Sequence, residues 1–251
     1  MAVDDSYTVS LLHFDGADAS TNFTDESAKS WTVAGNAQID TAQSKFGGAA
    51  GLFDGTNSKI TTPATTDFQY GTGAFTIDFH ARVNGTGSKV MFCQGGVSGS
   101  QYPDIWFAST SKTAVRVEIW EGSANRVGIN GTITENVFNH LALIRDGNNF
   151  YLATNGTLSA PTVWSGTMDY NNAVPISIGN QQNAGEWFNG WLDEFRVSKG
   201  IARWTADFTP PTSAYSSPSN KTTWFFMRDL KALFDKGIYR PQNLGLSRAG
   251  A

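Results

Sequence analysis

The chain holds one cysteine in 251 residues, so no disulfide can form within it and burial must hold the fold together. Cys93 lies in the apolar run KVMFCQGG and reads as a small buried hydrophobe. No run approaches the roughly 18 apolar residues of a membrane-spanning helix, so no membrane partner is expected. The opening MAVDDSYTVS has neither a basic start nor an apolar stretch and does not read as a secretory signal. Without that signal, the Asn-x-Ser/Thr sequons at Asn22, Asn84, Asn130, Asn155 and Asn220 carry no glycosylation weight, and three of them are Asn-Gly-Thr turns.

Charge is sparse as well. Charged residues make up 16%, and they are unevenly spread. Residues 213–251 carry six Lys/Arg against two Asp/Glu; residues 1–212 carry twelve against twenty, a net charge of −8. Such a body lacks the basic face that phosphate contacts need, which excludes nucleic acid as a partner. Catalytic patterns are missing too: there is no G-x-S-x-G, H-E-x-x-H or phosphate loop. Glu118 and Glu121 stand three apart, and Asp193 and Glu194 are adjacent, so neither pair shares a strand face as a glycosidase pair must. His13, His80 and His140 each fall inside a strand block that accounts for them. The chain is expected not to be an enzyme.

What remains is rich in turns and rings, with 26 Gly and 13% aromatics. About a dozen short strand signals run from Thr8–Phe14 through Phe75–Val83, Val115–Trp120 and His140–Arg145 to Leu192–Val197. The joints are Asp54-Gly55, Asn84-Gly85, Asn130-Gly131, Asp146-Gly147 and Asn155-Gly156. Almost no helical periodicity interrupts them. The pattern predicts an all-β, two-sheet antiparallel jelly-roll sandwich over residues 1–212. Residues 213–251 differ: SAYSSPSN reads as a linker, and KTTWFFMRDLKALFDKG as an amphipathic helix. Its apolar face would present Trp224, Phe225, Phe226, Leu230, Leu233 and Phe234, followed by a weakly basic tail holding Arg240. A helix of about 14 residues is marginal alone in water, so it is expected to anchor the chain to a partner.

In WLDEFRV, simple alternation puts Asp193 in phase with Trp191, Phe195 and Val197. A carboxylate facing a core must be hydrogen-bonded, paired or bound to a cation. Candidate ligand-facing aromatics come from the same kind of reading. In Val115–Trp120 the alternation puts Trp120 with Arg116 and Glu118, and Trp106 is out of phase with Ile105 and Phe107. Tyr102, Trp164, Tyr170 and Trp187 sit in Gly/Asn-rich, loop-like surroundings. These six rings are the candidates for stacking on a sugar.

The segment FNGWLDEFRVSKGIARWTADFTPP (Phe188–Pro211) resembles the closing strand of laminin-G-like, concanavalin A-type jelly rolls, with their D-E-x-R-x-S and F-x-P elements. The likeness extends along the body. SLLHFDG resembles the opening strand, FGGAAGLFDGTNSKITTP and DFQYGTGAFTIDFHARV the second and third blocks, and FNHLALIRDGNNFYLATNG the W-H-H-V-A-x-x-R-D-G hairpin. His80 and Phe138 replace family tryptophans, and Thr154-Asn155-Gly156 replaces the V-D-G turn. The resemblance implies that Asp193 either accepts backbone N–H groups or holds a structural Ca²⁺ with Asp15 or Asp54. It further implies a signal-less virion protein of the kind bacteriophage particles carry: a head decoration, neck or tail component. Such a protein would be oligomeric in its assembly, joined to other virion proteins through its C-terminal segment, and able to bind cell-surface polysaccharide. A free lectin is the alternative reading, and a glycoside hydrolase the least favoured.

Overall fold

The computed structural model describes residues 5–86, 89–95, 103–169, 175–181 and 185–216. Tyr102, Tyr170 and the docking candidates Trp224, Phe225, Phe226, Leu230, Leu233, Phe234 and Arg240 lie outside them. The chain divides into two compact units: Tyr7–Ser217, and a second made of Met1–Ser6 with Pro218–Ala251. The first is an all-β sandwich.

One sheet holds nine strands: β1 (Thr8–Leu12), β3 (Gln38–Asp40), β4 (Ala50–Asp54), β6 (Phe75–Val83), β11 (Asn139–Asp146), β12 (Asn149–Thr154), β13 (Thr157–Leu158), β14 (Thr162–Val163) and β16 (Asn189–Lys199). The other holds seven: β2 (Thr32–Ala34), β5 (Lys59–Thr62), β7 (Lys89–Gln94), β8 (Pro103–Ser111), β9 (Ala114–Glu121), β10 (Ala124–Thr132) and β15 (Ile176–Ile178). All their pairings are antiparallel. The smaller sheet runs β10-β9-β8-β7-β15-β5-β2, which leaves β10 on its rim. In the larger, β16 lies between β6 and β4 and also pairs with β1, so the last strand closes the sandwich against the first.

Period-two alternation supplies the core. In β6, Phe75, Ile77, Phe79, Ala81 and Val83 are buried in the main cluster. From the facing sheet, Ile105, Phe107, Val115, Val117 and Ile119 join them. Phe79 meets Phe107 edge-on at 4.9 Å between centroids, so the two sheets interlock through rings. Each Phe, Ile or Val among them contributes about 1.5–3 kcal/mol by burial.

The predicted phase of the closing strand is corrected. The β16–β6 register shifts between Asp193 and Arg196, and Glu194 takes a left-handed φ of 53°. This is a β-bulge, which inserts one residue and moves every later side chain to the opposite face. Leu192, Phe195 and Val197 therefore enter the core. Asp193 and Arg196 instead lie on the sheet's outer side, against the groups described below.

That outer side is roofed by the chain's own continuation, residues 201–215. Thr76 Oγ1 donates to the Ile201 carbonyl, and the Phe208 amide donates to the Gly156 carbonyl. Trp204 and Phe208 stack at 4.1 Å and pack over Ala142, Ile144 and Ala153. Tyr215, inside the stretch read as a linker, is buried beneath this roof, and the sandwich unit extends to Ser217.

Candidate functional site

The two outer faces differ in chemistry. Under the roof, β6, β11 and β16 bring Asp78, His80, His140, Glu194 and Arg196 together, all buried. Asp78 Oδ1 and Oδ2 accept from Arg196 Nε (3.1 Å) and Nη2 (2.9 Å), a bidentate ion pair. The Tyr215 hydroxyl donates to Asp78 Oδ2 at 2.5 Å, and its ring lies 3.8 Å from the Arg196 guanidinium carbon. Burial pushes the Asp78 carboxyl up, but the Arg196 charge and the hydrogen bonds of His140 and Arg196 together outweigh it and hold the group well below the usual carboxylate range. Burial, then the Asp78 charge, push the Tyr215 phenol well above 10.0. Glu194 accepts from the Tyr215 amide (2.7 Å) and lies 2.8 Å from His13 Nδ1, and that hydrogen bond raises the histidine above 6.5. This network fastens the roof to the sheet.

Sequence reasoning missed it. Asp78 and His80 alternate with the core residues of β6, which alone reads as an ordinary solvated face. The signal was the joint occurrence of Asp78, Arg196 and Tyr215, which only the pairing Asp78↔Arg196 brings together.

Of the proposed calcium ligands, Asp193 and Asp15 are neighbours and Asp54 is not. Asp193 Oδ2 accepts from the backbone N–H groups of Lys45 (2.6 Å) and Phe46 (3.1 Å). Its Oδ1 is buried without a partner among the described residues, and burial pushes the carboxyl up to about 7. Asp15 is near enough to raise Asp193 further. Asp54 belongs to a different turn, where Oδ1 accepts from Thr56, Asn57 and Ser58 and Oδ2 from Asn36. Among the described residues no three His, Cys, Asp or Glu side chains form a metal-holding group. Calcium needs six to eight oxygens, so Asp193 and Asp15 would hold the ion only with backbone carbonyls or water completing the set.

The other outer face, on the seven-stranded sheet, buries Val90, Cys93 and Ala108 beside Trp106 and is half-buried along β9. Alternation in β9 sends Val115, Val117 and Ile119 inward and leaves Arg116, Glu118 and Trp120 half-buried outside. Register sets Trp106 opposite Glu118 and Ala108 opposite Arg116, so Trp106 and Trp120 are diagonal neighbours across β8 and β9. Glu118 Oε1 accepts from Arg116 Nη2 and Asn125 Nδ2, both at 2.8 Å. Trp106, Arg116, Glu118 and Glu186 line a recess of about 120 Å³. Three buried N–H donors on this face, Trp106 Nε1, Trp120 Nε1 and Arg116 Nε, have no partner among the described residues. A donor left so is costly unless water or a ligand accepts from it.

The remaining aromatic candidates separate from this pair. Trp187 lies at the β7 margin, bridged to Val90, with Lys59 Nζ 5.9 Å from its ring centre. Trp164 packs on the core, 5.9 Å from the Phe150 ring and hard against Gly166, where a Cβ would come within 2.0 Å of its ring. It is a staple between the 164–166 loop and the sandwich, not a surface platform. Glu118 and Glu121 are tied to different arginines, Arg116 and Arg126, and do not form a carboxylate pair.

Solved structures with this architecture include binding domains. The binding domain of Botulinum neurotoxin DC, solved in complex with rat synaptotagmin II, superposes with a TM-score of 0.58 at 14% identity, over 79% of this chain and 49% of that one. The binding domain of Paraclostridial Mosquitocidal Protein 1 gives 0.54 at 16% identity, over 78% and 49%. This chain thus spans about half the length of those toxin domains. Domain 4 of AbnA, a GH43 extracellular arabinanase from Geobacillus stearothermophilus, solved with arabinotriose, gives 0.56 at 16% identity, over 79% of this chain and 95% of that domain. At these identities the likeness is one of fold. No curated protein sequence matches the chain. A laminin G model described as the concanavalin A-like lectin/glucanases superfamily matches residues 54–203, more than half of the chain, and the chain belongs to that family.

Proposed function

We propose that the protein is a non-enzymatic carbohydrate-binding jelly roll that serves as a structural component of a bacteriophage particle, as head decoration, neck or tail protein. The observation that carries the binding reading is the trio of N–H donors on the outer face of the seven-stranded sheet that have no partner among the described residues. Two belong to indoles that also offer flat rings, and Glu118 and Glu186 stand beside them as acceptors for sugar hydroxyls. The arabinanase domain solved with arabinotriose supports it by analogy of fold. The particle reading rests on the S-L-L-H-F-D-G…D-E-F-R-V-S pattern and on a basic, apolar C-terminal segment suited to docking an acidic body.

Two measurements test it. On polysaccharide-affinity gels, Trp120→Ala should weaken retention roughly thirtyfold, the loss of a stacked ring and a hydrogen bond at about 1 kcal/mol each. A glycan array unchanged by the substitution refutes the site. Immunogold labelling of purified particles should find the chain in stoichiometric copies. Finding it only as a free protein makes it a lectin without a structural role.

A further inference from the structure

One arginine of the sandwich has no acceptor among the described residues. Arg116 is paired with Glu118, Arg126 with Glu121 and Arg196 with Asp78, while Arg145 donates to carbonyls and Arg203 to hydroxyls. Arg82 alone among the described arginines makes neither a hydrogen bond nor an ion pair with a described residue. It stands half-buried on β6, on the same outer face as Asp78, between the core residues Ala81 and Val83. Its guanidinium carbon lies 5.5 Å from the centre of the Trp191 ring, its direct partner in register on β16. Nε is buried there without an acceptor, whereas the two Nη nitrogens reach solvent.

We infer that Arg82 and Trp191 form a docking site for a partner protein, which supplies an Asp or Glu carboxylate to the guanidinium. Charge complementarity names the group: a planar fork with both outer nitrogens unspent matches a carboxylate end-on. The indole beneath holds that fork in place, so little of its freedom is lost on binding. Trp191 is itself fixed, because its Nε1 donates to Asp40 Oδ2 at 2.6 Å. Asp40 is spent on that bond and on the Ala42 amide, and it makes no ion pair with Arg82.

The surroundings favour a protein over other anions. Register sets Leu52 on the other side of Trp191, and one further step of the β6–β11 ladder sets Phe138 beside Arg82. Both are half-buried, and Val137 next to Phe138 is 47% exposed. A cation resting on an indole among apolar neighbours is the composition of an interface anchor. A polyanion such as nucleic acid needs a row of cations instead, and the acidic body repels it. The site belongs to the nine-stranded sheet, so it stands apart from Trp106 and Trp120 and does not rest on the carbohydrate reading.

The test follows the Trp191 indole and Arg82 Nε–H resonances of the full chain during titration with acetylated, amidated Leu-Glu-Leu. Leu-Gln-Leu is the neutral isostere, and inorganic phosphate and glucuronate are the alternative anions. Leu-Glu-Leu should shift both resonances and bind at least about tenfold more tightly than the other three, the worth of one charge-assisted pair. Arg82→Gln should abolish that difference while lowering Tm by less than about 4 °C, because only a stacking contact is lost. Trp120→Ala should leave the binding unchanged. Equal binding of the Gln peptide, a preference for phosphate or glucuronate, no shift with any probe, or a larger fall in Tm overturns the inference.

Discussion

Arg145 is a buried cation held entirely by backbone. Its side chain is 0% exposed, and Nε, Nη1 and Nη2 donate to the carbonyls of Gly147 (2.9 Å), Gly71 (2.9 Å) and Gly166 (2.7 Å). Its guanidinium carbon lies 4.9 Å from the Phe150 ring centre. One side chain thus pins three loops. Arg145→Lys keeps the charge but replaces a planar fork by a single nitrogen, which cannot reach three divergent carbonyls. With two charge-assisted bonds lost at about 1.5–3 kcal/mol each, the expected loss is roughly 3–6 kcal/mol. For a domain of this size that lowers Tm by about 6–24 °C at 2–4 °C per kcal/mol. Urea and thermal unfolding followed by circular dichroism measure the loss. Hydrogen exchange should localise it, because the Tyr70 and Met168 amides, bonded to the Met168 and Gly71 carbonyls, should exchange faster while β6 and β16 do not. A loss under about 1 kcal/mol, or a uniform rise in exchange, refutes the pinning argument.

Tyr215→Phe should cost about 1.5–3 kcal/mol, since it removes a hydrogen bond to a buried carboxylate, and chains truncated after Thr212 should melt below chains truncated after Ser216. Equal melting of the two truncations would put Tyr215 outside the sandwich's stability. Asp193 is raised in the folded state from 3.8 to about 7, so the native state binds its proton more tightly than the unfolded chain and stability should fall as pH rises from about 4 to about 7. Asp193→Asn, which keeps an acceptor for Lys45 and Phe46, should flatten that decline in pH-dependent urea titrations; an unaltered slope assigns it elsewhere. His13 is raised above 6.5 by Glu194, so its contribution should be complete below about 6.5 and disappear as pH rises through its folded value. His13→Ala should remove that component, and nuclear magnetic resonance titration of the imidazole reads it directly.

Much of the fold was legible because most strands obey period two without interruption. Phe75–Val83 alternates cleanly, and the structure returns those bounds. The same alternation places Trp106 and Trp120 with Arg116 and Glu118 on an outer face. The short strands Thr32–Ala34, Gln38–Asp40, Thr157–Leu158 and Thr162–Val163 escaped, because two or three residues carry no period. The phase of Asp193 was misread because Glu194 is an inserted residue, visible only against the partner strand. Trp164 was misjudged because a Gly-rich neighbourhood signals a loop equally well when Gly166 is there to admit an indole.

The roof over the nine-stranded sheet gives the module a heritable asymmetry. Replacing any one of Asp78, Arg196 or Tyr215 strands a buried partner, so that face accepts change there only in concert. On the other face, Trp106, Arg116, Glu118 and Trp120 alternate with Ile105, Val117 and Ile119, whose side chains belong to the core. Variation there can reprogramme recognition one residue at a time while the scaffold beneath stays the same. A lineage under pressure from changing surfaces would be expected to accumulate its differences on β8 and β9.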